Sequence, residues 1–512
     1  MSVDPKPLTE GILFTDQYQL TMAQLYWRQG LAEQEAQFEF FFRRYPDYGE
    51  HQAGYCVFAG LGELLSWMAD TSFTPEDIEL LRSQRSTAGA PRFEDAFLDW
   101  LWRYGSFDQL VVDAVPEGRI IHANAPAVMV RGPLAMAQVL ETSLLNHLNY
   151  NTLIATKAAR VSEATRGGIV LEFGMRRGPG FGANAGSHAA LIGGADYSSN
   201  VALSHLYGLD PKGTHAHSMV QVFIALGMSE LDAFRAYAET YPDDCILLVD
   251  TIDTLESGVP NAITIFEELR EKGHEPRGIR LDSGDLAYLA IRAAAMLDEA
   301  GFTATSIVLS SELDELAIWQ IHTQIAAEAP RYGIDVDALL GRLIYGVGTR
   351  LITSDGHSAL GGVYKLVAIR GGSSWRAAIK ISDSPEKMPV PGTKRLWRIY
   401  DQRGLATADV MSLEDEDLMG ITELVIHDPH RSGVARTLTE NDIGSIEELT
   451  KRVWQEGRRT SGRSDLDELR MRRDADLDRL DPGVRRLINP HVYHVSVTAR
   501  LDELQRSLIA KA

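Results

Sequence analysis

The chain has little cysteine, a shortage of positive charge and no long apolar run, and each shortage excludes something. Cys56 and Cys245 are the only cysteines in 512 residues. Two thiols build neither a disulfide framework nor a Cys-based zinc site, and they suit a reducing compartment. Lys and Arg number 50 against 71 Asp and Glu, a formal net charge of −21. That deficit speaks against a nucleic-acid backbone as the main partner, since phosphate chains are bound by clustered cations. A small anion held in a local basic pocket stays open. The longest apolar runs, such as 245–249, fall far short of the ~20 residues that cross a bilayer. The polar opening residues 1–9 lead into no apolar signal core. The expected location is the cytoplasm.

What is there is ordinary globular composition, 45% apolar and 24% charged, without tandem repeats or low-complexity tracts. At ~150 residues per domain the length suits about three domains, or a large barrel with additions. In the middle, β-branched runs at 169–173, 245–249, 278–281, 306–309 and 343–347 alternate with helical patterns. The plainest of these are Leu286, Leu289, Ala293, Met296 and Leu297, then Leu313, Leu316, Ala317, Ile321 and Ile325. That rhythm marks parallel βα units. The runs end in Asp250-Thr251, Asp282-Ser283-Gly284-Asp285, Ser310-Ser311 and Gly348-Thr349.

An open doubly wound sheet shares the rhythm, but several consecutive polar strand ends favour a barrel over a single switch point. The expected fold is therefore α/β: an irregular, TIM-like α/β barrel over 150–365 behind an N-terminal α/β domain at 1–149. A β-rich segment at 366–439 is expected to pack back on the N-terminal domain. A charge-dense helical extension at 440–512 follows, with a break at 458–463, and reads as a solvated surface subdomain.

Four segments carry candidate chemistry. Gly346-Val347-Gly348-Thr349 at a strand end lets backbone N–H groups approach a phosphate, with the Thr hydroxyl as a further donor, though such turns are commonly only turns. In Arg280-Leu281-Asp282-Ser283-Gly284-Asp285, strand alternation puts Arg280 and Asp282 on one face. A cation beside a carboxylate can hold a sugar phosphate or a Mg²⁺-bound diphosphate, or form a plain salt bridge. Asp285 reads as a cap on the next helix. Gly213-Thr214-His215-Ala216-His217-Ser218 offers two imidazoles without zincin spacing, and His217 is a candidate nucleophile. Phe173-Gly174-Met175-Arg176-Arg177-Gly178 suits a flat anionic ring, stacked on Phe173 and paired through arginine, or else a core Phe with solvated cations.

Taken in order, these motifs resemble the nicotinate phosphoribosyltransferase family. The resemblance begins at Thr15-Asp16-Gln17-Tyr18-Gln19-Leu20-Thr21-Met22 and takes in Gly193-Gly194-Ala195-Asp196-Tyr197-Ser198-Ser199-Asn200. It continues through Leu360-Gly361-Gly362-Val363-Tyr364-Lys365-Leu366 and Lys380-Ile381-Ser382 to Trp397-Arg398-Ile399-Tyr400-Asp401, covering roughly residues 11–405. It implies the reaction of nicotinate with 5-phosphoribosyl 1-diphosphate to nicotinate mononucleotide and diphosphate, coupled to ATP hydrolysis, with Mg²⁺. It also implies a homodimer with shared sites.

Residue by residue, the resemblance makes Tyr18 a ring-stacking group donated by the partner subunit opposite Phe173. Thr214 and Arg280 contact nicotinate, with Arg176 nearby. Ser283, Ser311, Gly346, Gly348 and Thr349 bind the phosphoribosyl group. Asp282 faces the ribose hydroxyls or Mg²⁺, and His217 is the histidine that ATP phosphorylates, with His215 the competing imidazole. Arg280, Asp282 and His217 form the catalytic set.

The rivals are a nicotinamide-specific phosphoribosyltransferase, in which an Asp near the place of Asp196 binds the amide, a non-catalytic pyridine-metabolite-binding barrel, and a sugar-phosphate aldolase barrel using Lys365. The expectation is a positive pocket, built on Arg176, Arg177 and Arg280, inside a negative protein.

Overall fold

The computed structural model describes residues 10–381 and 387–511. The opening residues 1–9 and Ser382 lie outside them. The chain divides into two compact units, Met1–Leu153 with Ala359–Ala512, and Ile154–Ser358. Among the described residues no helix is long and apolar enough to cross a membrane.

The Ile154–Ser358 unit is built on six parallel strands. Their order is Tyr197–Ser198, Ile169–Glu172, Leu343–Val347, Ser306–Ser310, Gly278–Leu281 and Ile246–Leu248. Their side chains explain the burial: Ile279, Leu281, Ile307, Leu309, Tyr345 and Val347 are fully enclosed, each apolar side chain contributing about 1.5–3 kcal/mol. Helices return between strands, started by aspartates. Asp285 caps Leu286–Glu299 by accepting the Tyr288 N–H at 3.1 Å, as its sequence context predicts, and Asp314 caps Glu315–Glu328 through Ala317 N–H at 2.8 Å.

The expected closed barrel is corrected here: the sheet is open among the described residues, with its edges at Tyr197–Ser198 and Ile246–Leu248. Closure requires edge strands to pair. These two are only two and three residues long, and the chain between them folds as the helices Val201–Leu206, His217–Ala225 and Glu230–Thr240.

The other unit holds a seven-stranded and a six-stranded sheet. In the seven-stranded sheet Glu35–Phe42 lies between Val128–Pro133 and Gly362–Gly371, antiparallel to both. The six-stranded sheet centres on His494–Thr498 and Ala406–Leu413. Val390, Leu396 and Met411 share one apolar core with Phe40, Leu64 and Phe97.

The stretch 440–512 is not the predicted helical extension. It carries the strands Ser445–Glu448, Lys451–Gln455, Arg458–Arg459 and His494–Thr498 beside the helices Leu466–Asp478 and Ala499–Lys511. Its charge density misleads because several of its charges are ion-paired with side chains elsewhere in the unit, some of them buried. Arg452 meets Asp113 at 2.6 Å, and buried Arg398 holds Asp409 at 2.8 Å and Asp476 at 3.2 Å. Burial works against ionisation of Glu447, yet hydrogen bonds from Arg119 at 2.8 and 3.0 Å outweigh it and hold the carboxyl at about 2.

Candidate functional site

Register brings the polar strand ends together. Arg280 pairs with Leu248 on one side and Val308 on the other, and Ser310 pairs with Gly346. Alternation sends Ile279 and Leu281 into the core and leaves Arg280 on the opposite face. Three of its nitrogens are committed: Nε donates to Ser310 Oγ at 2.8 Å, Nη1 to Thr214 Oγ1 at 3.2 Å and Nη2 to Asp282 Oδ1 at 3.0 Å. The Ser310 hydroxyl in turn donates to Asp282 Oδ1. The guanidinium carbon stands 5.6 Å from the centroid of the Phe173 ring, within cation–π range. A guanidinium has five N–H groups, so among the described residues Nη1 and Nη2 each keep one free.

Asp250, at the end of the neighbouring strand, underlies this cluster with its side chain only 2% exposed. Its Oδ2 accepts the Ser283 hydroxyl at 2.6 Å and the Asp282 N–H at 3.1 Å. Its Oδ1 is buried with no hydrogen-bond partner among the described residues. Opposite stands His217, the first residue of its helix. The imidazole Nε2 is 3.7 Å from Asp250 Oδ1 and 3.7 Å from Asp282 Oδ2, and its Nδ1 is 3.1 Å from Thr251 Oγ1.

The two histidines of the Gly-Thr-His-Ala-His segment are thus told apart. His215 Nε2 accepts the Leu248 N–H at 3.0 Å, and its ring packs on Tyr237. Burial, with the Arg280 charge adding to it, pushes this imidazole down to about 4. His215 is a neutral structural acceptor, and His217 is the one that faces the carboxylates.

The glycine turn has a packing reason. A Cβ on Gly346 would come 2.7 Å from the Phe173 ring, and one on Gly348 would come 3.1 Å from the Phe173 carbonyl oxygen. The bare backbone therefore seats Phe173 as the platform beside Arg280. Thr349 is exposed at the start of a four-residue helix, and Ser311 is exposed with φ at 94°.

Among the described residues, the other predicted ones sit on other elements. Arg176 and Arg177 are exposed on the 3-10 turn Met175–Arg177. Tyr18 belongs to the other unit, half exposed near the start of the helix Gln17–Arg28. Partial burial, helped by the nearby charges of Glu141 and Asp16, raises its phenol above the ordinary range. Asp196 accepts the Val170 N–H at 2.8 Å, a strand-edge role.

Asp250, Thr251 and Ser310 are site residues that the motif reading passed over. Their signal was position alone, each standing at the mouth of a predicted strand. They also correct the expected charge: two carboxylates stand against one clamped arginine at the heart of the cluster.

That excess bears on Mg²⁺. Among the described residues no group of three or more His, Cys, Asp or Glu is arranged to hold a metal. Mg²⁺, however, is commonly held by one or two carboxylates, with water and substrate phosphates completing the shell. The unpartnered Asp250 Oδ1 and the Asp282 Oδ2 supply that donor set, and the residues fit the ion.

A parallel sheet with its polar constellation at the carboxyl ends of the strands places the chain among α/β enzymes that work at that edge. Family models described as the nicotinate phosphoribosyltransferase N-terminal and C-terminal domains match residues 13–149 and 393–505. The nicotinate phosphoribosyltransferase of Bacillus subtilis (strain 168) is 38% identical over 488 residues, covering 95% of this chain and 92% of that one. The crystal structure of human nicotinic acid phosphoribosyltransferase superposes with a TM-score of 0.79 at 30% identity, over 96% of this chain and 99% of that one. A nicotinate-nucleotide pyrophosphorylase from Pyrococcus furiosus, 20% identical with a TM-score of 0.64 over 93% and 97% of the two chains, shares the fold. The chain belongs to the nicotinate phosphoribosyltransferase family.

Proposed function

We propose that this protein joins nicotinate to 5-phosphoribosyl 1-diphosphate, giving nicotinate mononucleotide and diphosphate, and that ATP hydrolysis drives the step. Family membership supports the reaction. The observation that carries the assignment of roles is the Arg280 clamp. Its guanidinium is fixed by Ser310, Thr214 and Asp282 beside the Phe173 ring, and its two free N–H groups match a carboxylate in bidentate fashion. An aromatic acid would stack on Phe173 and point its carboxylate at Arg280.

The ring nitrogen then attacks the anomeric carbon of the ribose as the bond to diphosphate breaks. Positive charge grows on that carbon, and the fixed Asp282 carboxylate stabilises it or the neighbouring hydroxyls. Arg176, exposed on the turn that follows Phe173, would pair with the same acid. Ser283, Ser311 and the Gly346–Thr349 backbone hold the 5-phosphate. When bound by Asp282 and Asp250, Mg²⁺ would neutralise the charge of the diphosphate.

His217 takes the γ-phosphoryl group of ATP on a ring nitrogen and releases ADP; water later cleaves the N–P bond to phosphate and regenerates the imidazole. A phosphoryl group there brings negative charge against Asp250 and Asp282, which favours cation recruitment or loop rearrangement. The protein works as a cytoplasmic homodimer in which Tyr18 of a second copy closes the ring site. Diphosphate release on mixing the two substrates, with and without ATP, tests the reading, and acid-labile phosphate lost in His217→Ala tests the role of His217.

A further inference from the structure

Arg350 follows Thr349 directly, and a basic side chain beside a phosphate turn invites assignment as a phosphate ligand. Its surroundings argue otherwise. Nη1 donates to Asp314 Oδ2 at 2.7 Å, Nε donates to Glu312 Oε2 at 3.2 Å, and Asp355 Oδ2 lies 3.7 Å from Nε. The side chain of Asp314 is only 11% exposed, and its other oxygen caps the helix Glu315–Glu328. The Arg350 carbonyl accepts the Asp355 N–H at 3.0 Å. Three carboxylates around one guanidinium leave a local surplus of negative charge, which is poor company for a phosphate.

The same contacts span two loops. Ser311 and Glu312 hold φ values of 94° and 45°. Successive non-glycine residues in that region cost energy and persist only where their surroundings fix them. Arg350 reaches from the Gly346–Thr349 turn to Glu312 and Asp314, on either side of Leu313. Ser311 itself follows Ser310, the residue that links Arg280 to Asp282.

We infer that Arg350 is a positioning residue: it ties the Ser311–Glu312 corner to the Gly346–Thr349 turn, so that the two halves of the phosphate cradle keep one spacing. The cradle itself rests on the function proposed above.

The test is a double-mutant cycle on the full-length protein. Arg350→Met should raise KM for phosphoribosyl diphosphate ~10-fold, with KM for nicotinate changed less than about twofold. Asp314→Asn keeps the helix cap and the Glu312 pair and should reproduce part of the effect. The double variant should be no worse than Arg350→Met alone, because the Asp314 pair is already lost there. Arg350→Lys should recover part of the loss by keeping the pair to Asp314.

Amide hydrogen exchange at residues 311–314 gives a readout independent of any reaction, and it should accelerate in Arg350→Met. A wild-type enzyme without nicotinate-dependent diphosphate release would defeat the proposed function, whereas unchanged exchange in Arg350→Met would defeat this inference by itself. A KM effect of Arg350→Met that Asp314→Asn does not share, with additive losses in the double variant, would make Arg350 a direct phosphate ligand and overturn the positioning role.

Discussion

His217 and Asp250 face each other at 3.7 Å, imidazole Nε2 to a buried carboxylate oxygen that has no hydrogen-bond partner among the described residues. The distance lies beyond hydrogen-bond reach, so the ring is held through Nδ1 on Thr251 while Nε2 makes no hydrogen bond to either carboxylate. A buried carboxylate with an open oxygen is unfavourable until a cation or a donor engages it. The open oxygen therefore faces the one side chain expected to change its chemistry during turnover.

Asp250→Asn should separate these roles. The amide keeps an acceptor for the Ser283 hydroxyl and removes the charge that faces His217. Phosphate incorporation on His217 should fall on the order of 10²-fold, while thermal stability holds or rises slightly as a buried charge disappears. Acid-labile labelling and a melting curve measure both. Undiminished labelling would remove Asp250 from the account.

His215 sets a pH dependence of folding. Its folded imidazole resists protonation down to about 4, chiefly through burial, whereas an unfolded histidine takes a proton near 6.5. Between those values the unfolded chain binds more protons, so stability rises with pH and is lost as pH falls from about 6.5 toward 4. The His215 share is about 3 kcal/mol. Burial lowers His122 and His147 as well, with the same sign. His215→Asn keeps an acceptor for the Leu248 N–H and should flatten part of the slope seen in urea titrations at stepped pH.

Arg280→Lys should damage substrate recognition more than folding. An ammonium cannot bridge Ser310, Thr214 and Asp282 while presenting two parallel donors to a carboxylate. The loss in kcat/KM for nicotinate should reach about 10²-fold, on the order of 2–3 kcal/mol, with the melting temperature moving far less. Equal losses for nicotinate and for an analogue lacking the carboxylate would place Arg280 elsewhere in the mechanism.

The sequence was readable where local rules act alone. Gly278–Leu281 stands where its β-branched run ends at a turn, and Asp285 caps the helix that its spacing predicts. Closure of the sheet was not readable, because it depends on which strands pair over long separations, and edge strands of two and three residues leave little pattern. The stretch 440–512 misled because Arg452 and Asp476 read as unpaired charge until their partners Asp113 and Arg398 are placed beside them.

At the site, Arg280, Asp282 and His217 stood out by chemical type. Asp250 did not, since a lone carboxylate at a strand end says nothing about being 98% enclosed. Gly346 was legible as a residue that must be small, but the ring it admits lies far away in sequence at Phe173.

The most direct test of the central claim is diphosphate release by the purified chain given nicotinate and 5-phosphoribosyl 1-diphosphate, with nicotinamide at equal concentration as competitor and with ATP present or withheld. The account predicts nicotinate-dependent release that ATP accelerates in the wild type but not in His217→Ala, with nicotinamide consumed poorly. No nicotinate-dependent release under either condition, or consumption of nicotinamide in preference, would contradict it.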